Sequence, residues 1–153
     1  MKQKQTRTIL KKIEEIKEKH KKTEIKDLQL EKAERIAKHL DSFSDSCSEC
    51  RNDLEELKAE TVHLAVLHQL DSKTILAYRE FVQQLSNHLK EKHNMTPEGT
   101  GTSIGIAIGI AAGFALGLSV FHNIAVGLAI GLAIGLSIGA EKDNKDKKAG
   151  KVI

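Results

Sequence analysis

The pattern of apolar and polar positions divides the chain near residue 100. No charged side chain occurs from Thr102 to Ala140, and the residues there are mostly Ile, Ala, Leu, Val and Gly. A stretch of about 20 such residues is long enough to cross a bilayer as a helix. The glycines recur at every fourth position in two runs, which comprise Gly105, Gly109, Gly113, Gly117, Gly127, Gly131, Gly135 and Gly139.

This apolar region predicts a transmembrane hairpin of two helices over residues 104–140, with a turn at His122 and Asn123. A four-residue spacing puts the glycines on one face of each helix, where they let two backbones approach closely. Two functions of these faces stay open at this point. They hold the hairpin together, or they also join copies of the chain into a homo-oligomer, including a pore.

The distribution of lysines predicts the orientation of the hairpin. Lys90 and Lys92 precede the first span, the tail at residues 141–153 is basic, and the turn carries no lysine or arginine. Because cytoplasmic flanks are enriched in Lys and Arg, we expect a multi-pass protein of the cell membrane with both termini cytoplasmic.

The first 95 residues show helical periodicity. Residues 1–45 form a charged amphipathic region, and its segment 6–40 is interpreted as one helix or two. Residues 46–95 carry a coiled-coil-like apolar spacing on two helices that turn back at Asp71 and Ser72, which predicts an antiparallel helical hairpin. Ser46 would start the first of these helices through a capping box with Glu49. A linker at residues 96–103 completes an all-α fold.

The distribution of charge indicates anionic lipid as a second candidate partner of the chain, besides the lipid bilayer as a whole. The chain has a formal net charge of +3, and its first 26 residues are strongly basic. This basic segment either contacts anionic lipid or is simply a solvated helix face. Binding to nucleic acid is not expected, because no aromatic residue occurs among the first 42.

Cysteine and histidine supply the only candidate chemistry in the helical half. The motifs are Cys47-x-x-Cys50 and His88-x4-His93. If the two helices fold back at residues 71–72, Cys50 lies opposite His93. Thiolate and imidazole are zinc ligands, so the four residues predict one structural zinc.

Geometry sets two further expectations for this group. The start of a helix should lower the pKa of a thiol. Five residues along a helix correspond to a rotation of about 140°, so His88 and His93 should share one metal only if the helix unwinds near Lys92. His39 is the substitute ligand.

Two other interpretations of the cysteines stay open. Both can be small buried apolar residues, or they can form a redox pair, although no strand precedes them as in thioredoxin-like sites. No nucleophile with an activating base and no catalytic metal motif occurs, so we do not expect an enzyme unless the CxxC is redox-active.

The chain resembles a loosely defined group of bacterial membrane proteins, mostly from Bacillus-like organisms, over most of residues 36–140. These proteins pair a charged helical N-terminal half with a glycine-zipper hairpin. The resemblance implies a membrane location and favours a Cys/His site, but it implies no particular activity. The matching features are His39-Leu-Asp-Ser-Phe-Ser, Cys47-x-x-Cys50, His88-Leu-Lys-Glu-Lys-His93 and the glycine runs around Phe121-His-Asn-Ile124.

The sequence therefore predicts a structural or interaction module at the membrane, with a cytoplasmic helical domain held by zinc. The alternatives are an oligomeric pore-forming or permeabilising glycine-zipper protein and a membrane-tethered thiol redox protein.

Overall fold

The computed structural model describes residues 2–20 and 22–153, and it confirms the all-α class. Within these residues the structure contains helices and one isolated bridge, between Thr96 and Val152. The chain divides into two compact units, one formed by the residues up to Asn94 together with Ile153 and the other spanning Met95–Val152. The helices are α1 (Lys2–Lys19), α2 (Lys22–Asp27), α3 (Leu30–Phe43), α4 (Ser48–Val66), α5 (Ser72–His93), α6 (Thr100–Ser119) and α7 (Ile124–Lys148).

The charged N-terminal region forms three helices, which answers the question of one helix or two. Gln29 adopts a left-handed backbone conformation, with φ 54°, immediately before α3. A left-handed residue interrupts the helical hydrogen-bond ladder, so α2 and α3 are separate elements. On α1, the residues Ile9, Ile13 and Ile16 are fully buried, as their helical spacing predicts.

Helices α4 and α5 bury the apolar positions that the spacing predicts, but their closest packing is with other helices. Helix α4 packs against α1 and α3, and α5 packs against α3 and α2. The leucines therefore face the core of a helical bundle, and a coiled coil of α4 with α5 stays a prediction. The buried residues of the two helices are Cys50, Leu54, Leu57, Thr61, Leu64, Tyr78, Val82, Leu85, Ser86 and Leu89.

The predicted capping box at Ser46 is wrong. Helix α4 is capped one residue later by Cys47, whose Sγ accepts a hydrogen bond from the backbone N–H of Cys50 at 3.4 Å. The Ser46 hydroxyl instead donates to the carbonyl of Phe43 at 3.2 Å, so it serves the end of α3. At the start of α5, Asp71 Oδ1 accepts from the N–H of Thr74 at 2.9 Å, as the turn at residues 71–72 predicts.

The second unit is the predicted hairpin, formed by α6 and α7. Both helices are long and apolar enough to cross a membrane. His122, with φ 49°, lies in the turn, and Asn123 caps α7. Helix α7 continues beyond Ala140 into the basic tail, because no Gly or Pro interrupts it before residue 150 and two (i, i+4) ion pairs support it.

The glycines of α6 and α7 face one another within the same chain. All eight predicted packing glycines are buried, and Gly101 extends the stripe on α6. A methyl group on Gly109 would overlap the carbonyl oxygen of Gly131, and one on Gly131 would overlap that of Gly109. The contact is therefore backbone against backbone along the whole hairpin, while the large apolar side chains point outwards.

Candidate metal centre

Two cysteines at the start of α4 meet two histidines at the end of α5. The four potential ligand atoms of Cys47, Cys50, His88 and His93 all lie within 4.8 Å of one another. Cys50 is fully buried and the other three are half-buried. The packing of α4 and α5 into one bundle thus brings together Cys47 and His88, which are 41 positions apart in the sequence, and Cys50 and His93, which are 43 positions apart.

The distances between sulphur and nitrogen in this group are compatible with a tetrahedral metal site. The Nε2 atom of His88 lies 3.7 Å from Cys47 Sγ and 3.4 Å from Cys50 Sγ, and the Nε2 atom of His93 lies 3.1 Å from Cys50 Sγ. Zinc bond lengths of about 2.3 Å to sulphur and about 2.05 Å to nitrogen place tetrahedral S and N ligands roughly 3.6 Å apart. A donor set of two sulphurs and two imidazole nitrogens also suits Zn²⁺ chemically.

The expectation that α5 must unwind near Lys92 is wrong. Helix α5 is helical through His93 and ends at Asn94, which adopts φ 53°. The two imidazole rings are tilted by 35° with centroids 5.6 Å apart, so both lean towards the Cys50 sulphur. The two side chains are long enough to reach the same sulphur, although they leave the helix in different directions.

Helix α3 orients His93 through a stacking contact, and it also carries His39, which is not part of the group of four. The ring of Phe43, at the end of α3, stacks on the His93 ring with centroids 4.1 Å apart and an angle of 18° between the planes. His39, on α3, is half-buried and lies outside the group of four. The geometry therefore does not require the substitute ligand.

Burial raises the pKa of the Cys50 thiol, whereas its location at the start of a helix was expected to lower it. The pKa of Cys50 is raised to about 12, first by burial, then by the hydrogen bond with Cys47 and by the negative charges of Cys47, Asp53 and Glu49. Burial and the neighbouring His88 lower the pKa of His93. Because a protonated thiol is a poor nucleophile, Cys50 would not be the attacking sulphur of a redox pair.

The outer face of His88 contacts two carboxylates that the sequence interpretation did not identify. His88 Nδ1 lies 3.4 Å from Glu49 Oε2 and 3.7 Å from Asp53 Oδ2. Burial raises the pKa of Asp53, and the charge of His88 opposes this effect. The sequence signal that could have identified these two carboxylates is their location within three residues of Cys50.

The comparisons with known proteins concern the hairpin. Residues 91–145 match the family described as a glycine zipper membrane protein. This part of the chain is therefore similar to glycine-zipper membrane proteins. Neither the curated proteins nor the solved structures give a match. The resemblance of the Cys/His half to bacterial proteins stays a prediction, and the family match supports a location in the membrane.

Asp143 closes the polar end of the hairpin of α6 and α7, a role that the sequence interpretation missed. Its Oδ1 accepts from the N–H of Gly101 at 2.7 Å, and its Oδ2 accepts from the N–H and the hydroxyl of Thr102 at 2.9 and 2.6 Å. Lys147 forms an ion pair with Glu98 at 3.0 Å nearby. These contacts hold the start of α6 and the C-terminal part of α7 together at the polar end of the hairpin.

Proposed function

We propose that this chain is an integral protein of the cell membrane in which a zinc-clamped helical unit acts as a structural or interaction module. The observation that carries the zinc clamp is the convergence of four ligand atoms within 4.8 Å. The observations that support membrane insertion are the glycine-zipper match and the two apolar helices.

The outer surface of the hairpin supports contact with lipid. Its large apolar side chains point away from the glycine contact, with Ile108 64%, Ile138 63% and Phe114 49% exposed. A continuous apolar surface of this kind needs an apolar environment, and the helices satisfy their own backbone hydrogen bonds there. The lysines near its polar end favour a cytoplasmic location for that end and for both termini.

Zinc would join the first turn of α4 to the last turns of α5. All four ligands would come from the protein, which is typical of structural sites and leaves no open position for a substrate. The free energy of metal binding would then contribute to folding of the helical unit. This closed set supports a structural role and a protein that is not an enzyme.

The direct test is the metal content of the full chain, purified in detergent micelles under reducing conditions and measured by mass spectrometry. We expect about one zinc per chain in the wild type and none in the Cys47→Ser/Cys50→Ser control. Absence of metal from the wild type, also after incubation with zinc and dialysis, would refute the clamp. An intramolecular disulfide under mild oxidation in that case would favour the redox alternative.

The orientation is tested with single cysteines in the Cys47→Ser/Cys50→Ser background. A membrane-impermeant thiol reagent added to intact cells should label His122→Cys in the turn and leave Lys148→Cys in the tail unlabelled. Permeabilised cells should give labelling of both. Labelling of the tail from outside would show the opposite orientation.

The contacts of the glycines bear on the pore-forming alternative. Both glycine faces pack against each other within one chain, which supports a hairpin closed by its own glycines. We expect liposomes that contain the purified chain to show no conductance above that of empty liposomes. Conductance that is lost in Gly113→Leu would favour the pore instead.

A further inference from the structure

The face of His88 that points away from the cysteines carries an inference that rests on the proposed zinc site. The Nε2 atom faces both sulphurs, at 3.7 and 3.4 Å, and the Nδ1 atom faces the carboxylates of Glu49 and Asp53. An imidazole that binds a metal through one nitrogen commonly donates the hydrogen of the other to a carboxylate. That hydrogen bond decides which nitrogen keeps its lone pair for the metal.

Burial distinguishes the two carboxylates. The side chain of Asp53 is 23% exposed and that of Glu49 is 63% exposed, although Glu49 is slightly closer to Nδ1, at 3.4 Å against 3.7 Å. Ion pairs of exposed side chains contribute little, because water screens them and holding a long side chain in place has an entropic cost. A less exposed carboxylate is screened less and has fewer conformations available.

The contact between Asp53 and Nδ1, at 3.7 Å, is longer than a hydrogen bond. We propose that Asp53 is a positioning residue for the zinc site: when zinc binds Nε2, the Asp53 carboxylate moves closer to Nδ1, accepts its hydrogen and thereby keeps Nε2 directed at the metal. Asp53 follows Cys50 by three residues on α4, so the helix that supplies the sulphur also orients the imidazole. Glu49, on the solvent side, adds charge near the site without fixing the ring. Loss of such an orienting carboxylate typically weakens metal binding about 10- to 100-fold.

The test measures zinc affinity of the full chain in detergent micelles, by competition with a chromophoric chelator. Asp53→Asn should weaken binding about 10-fold or more. Glu49→Gln is the matched control on the same turn and should change the affinity by less than about 3-fold, and Asp53→Glu should restore most of it. Circular dichroism of the metal-free proteins checks that the variants keep their helical content.

A second measurement reads the imidazole itself. Long-range ¹H–¹⁵N spectra of the zinc-bound protein, assigned with His88→Gln, should show His88 bound through Nε2 with a protonated Nδ1. In Asp53→Asn the His88 signals should report a mixture of the two ring nitrogens as ligand. Loss of affinity with unchanged binding through Nε2 would assign Asp53 only a structural role and overturn the proposal.

The outcomes separate this inference from the proposed function. A wild type without zinc would refute the clamp, and the role of Asp53 with it. A wild type with zinc and an Asp53→Asn variant of equal affinity would refute the positioning role alone. If Glu49→Gln weakened binding and Asp53→Asn did not, the orienting carboxylate would be Glu49 and the proposal would also be wrong.

Discussion

At the scale of single residues, the stacking of Phe43 on His93 is a contact that orients one of the four proposed zinc ligands. The rings are nearly parallel, with centroids 4.1 Å apart. An aromatic pair of this kind contributes about 0.5–1.5 kcal/mol beyond its buried area. Pre-organisation of a ligand also reduces the entropy lost on binding.

We therefore expect Phe43→Leu to weaken zinc binding several-fold, by the equivalent of about 1 kcal/mol. The chelator competition described above measures the affinity, and Phe43→Tyr is the matched control because it keeps the ring. Equal affinities of the Leu and Tyr variants would mean that the stacking does not contribute to the site.

The sequence was sufficient to predict part of this site and insufficient for the rest. The turn at residues 71–72 set the register, and that register placed Cys50 opposite His93, where the structure has them 3.1 Å apart. The convergence of both histidines depends on side-chain rotamers at the end of α5. The raised pKa of Cys50 depends on burial within a bundle. Neither quantity follows from residue spacing, because each arises from tertiary packing.

At the scale of elements, the glycine zipper depends on the absence of side chains at its centre. A side chain on Gly131 would overlap the backbone of α6 at Gly109 and Gly113. Because backbone atoms cannot rotate away, the two helices would have to separate. Overpacking of this kind costs about 1–3 kcal/mol.

Gly131→Leu should therefore destabilise the hairpin in micelles and speed the hydrogen exchange of its helices, whereas Ala133→Leu should not. Ala133 lies two residues further along α7 on the exposed side, so the same added volume meets only detergent. Hydrogen exchange of α6 and α7 measures the effect. Similar exchange in the two variants would contradict a glycine contact between the helices.

Asp143 supports the same hairpin at its polar end. Its carboxylate accepts from two N–H groups at the start of α6 and from the Thr102 hydroxyl. These N–H groups have no partner inside the helix, so the carboxylate acts as a helix cap supplied by α7. Gly99, the residue at the N-cap position, supplies no side-chain hydrogen bond.

Asp143→Ala should destabilise the hairpin by about 0.5–2 kcal/mol, the usual range for loss of a helix cap. The unfolding midpoint in mixed micelles measures this change. Glu141→Gln is the control, because it removes a negative charge close by whose ion pair with Lys145 is largely exposed. A loss of stability as large in Glu141→Gln would attribute the effect to charge and not to capping.

The hairpin also shows what a repeated pattern can and cannot predict. The four-residue glycine period fixes which face of each helix is in contact, so the pairing of α6 with α7 followed from the sequence. The position at which α7 ends did not follow, because the change from apolar to charged residues after Ala140 was taken as the end of the hairpin. The basic tail contains no strong helix breaker before residue 150, and its ion pairs extend the helix to Lys148. The role of Asp143 was missed for the same reason, since it requires that extension.

At the scale of the whole molecule, the two units should respond differently to removal of metal. The cysteines and histidines of the candidate site all belong to the unit formed by the residues up to Asn94 together with Ile153, and the glycine contacts all belong to the unit Met95–Val152. A ligand that binds only the folded state stabilises it by about 2.7 kcal/mol at a free concentration 100 times its dissociation constant. That stabilisation applies to the cooperative unit that holds the site.

We therefore expect a strong zinc chelator to increase hydrogen exchange in α1, α3, α4 and α5 of the full chain and to leave α6 and α7 unchanged. The Cys47→Ser/Cys50→Ser variant should show the increased exchange without chelator and no further response to it. Because the hairpin is held by backbone contact and by Asp143, it has no dependence on metal of its own. An equal increase of exchange in both units would show that they unfold as one, and a zinc-loaded protein without any increase would show that the metal does not stabilise the bundle.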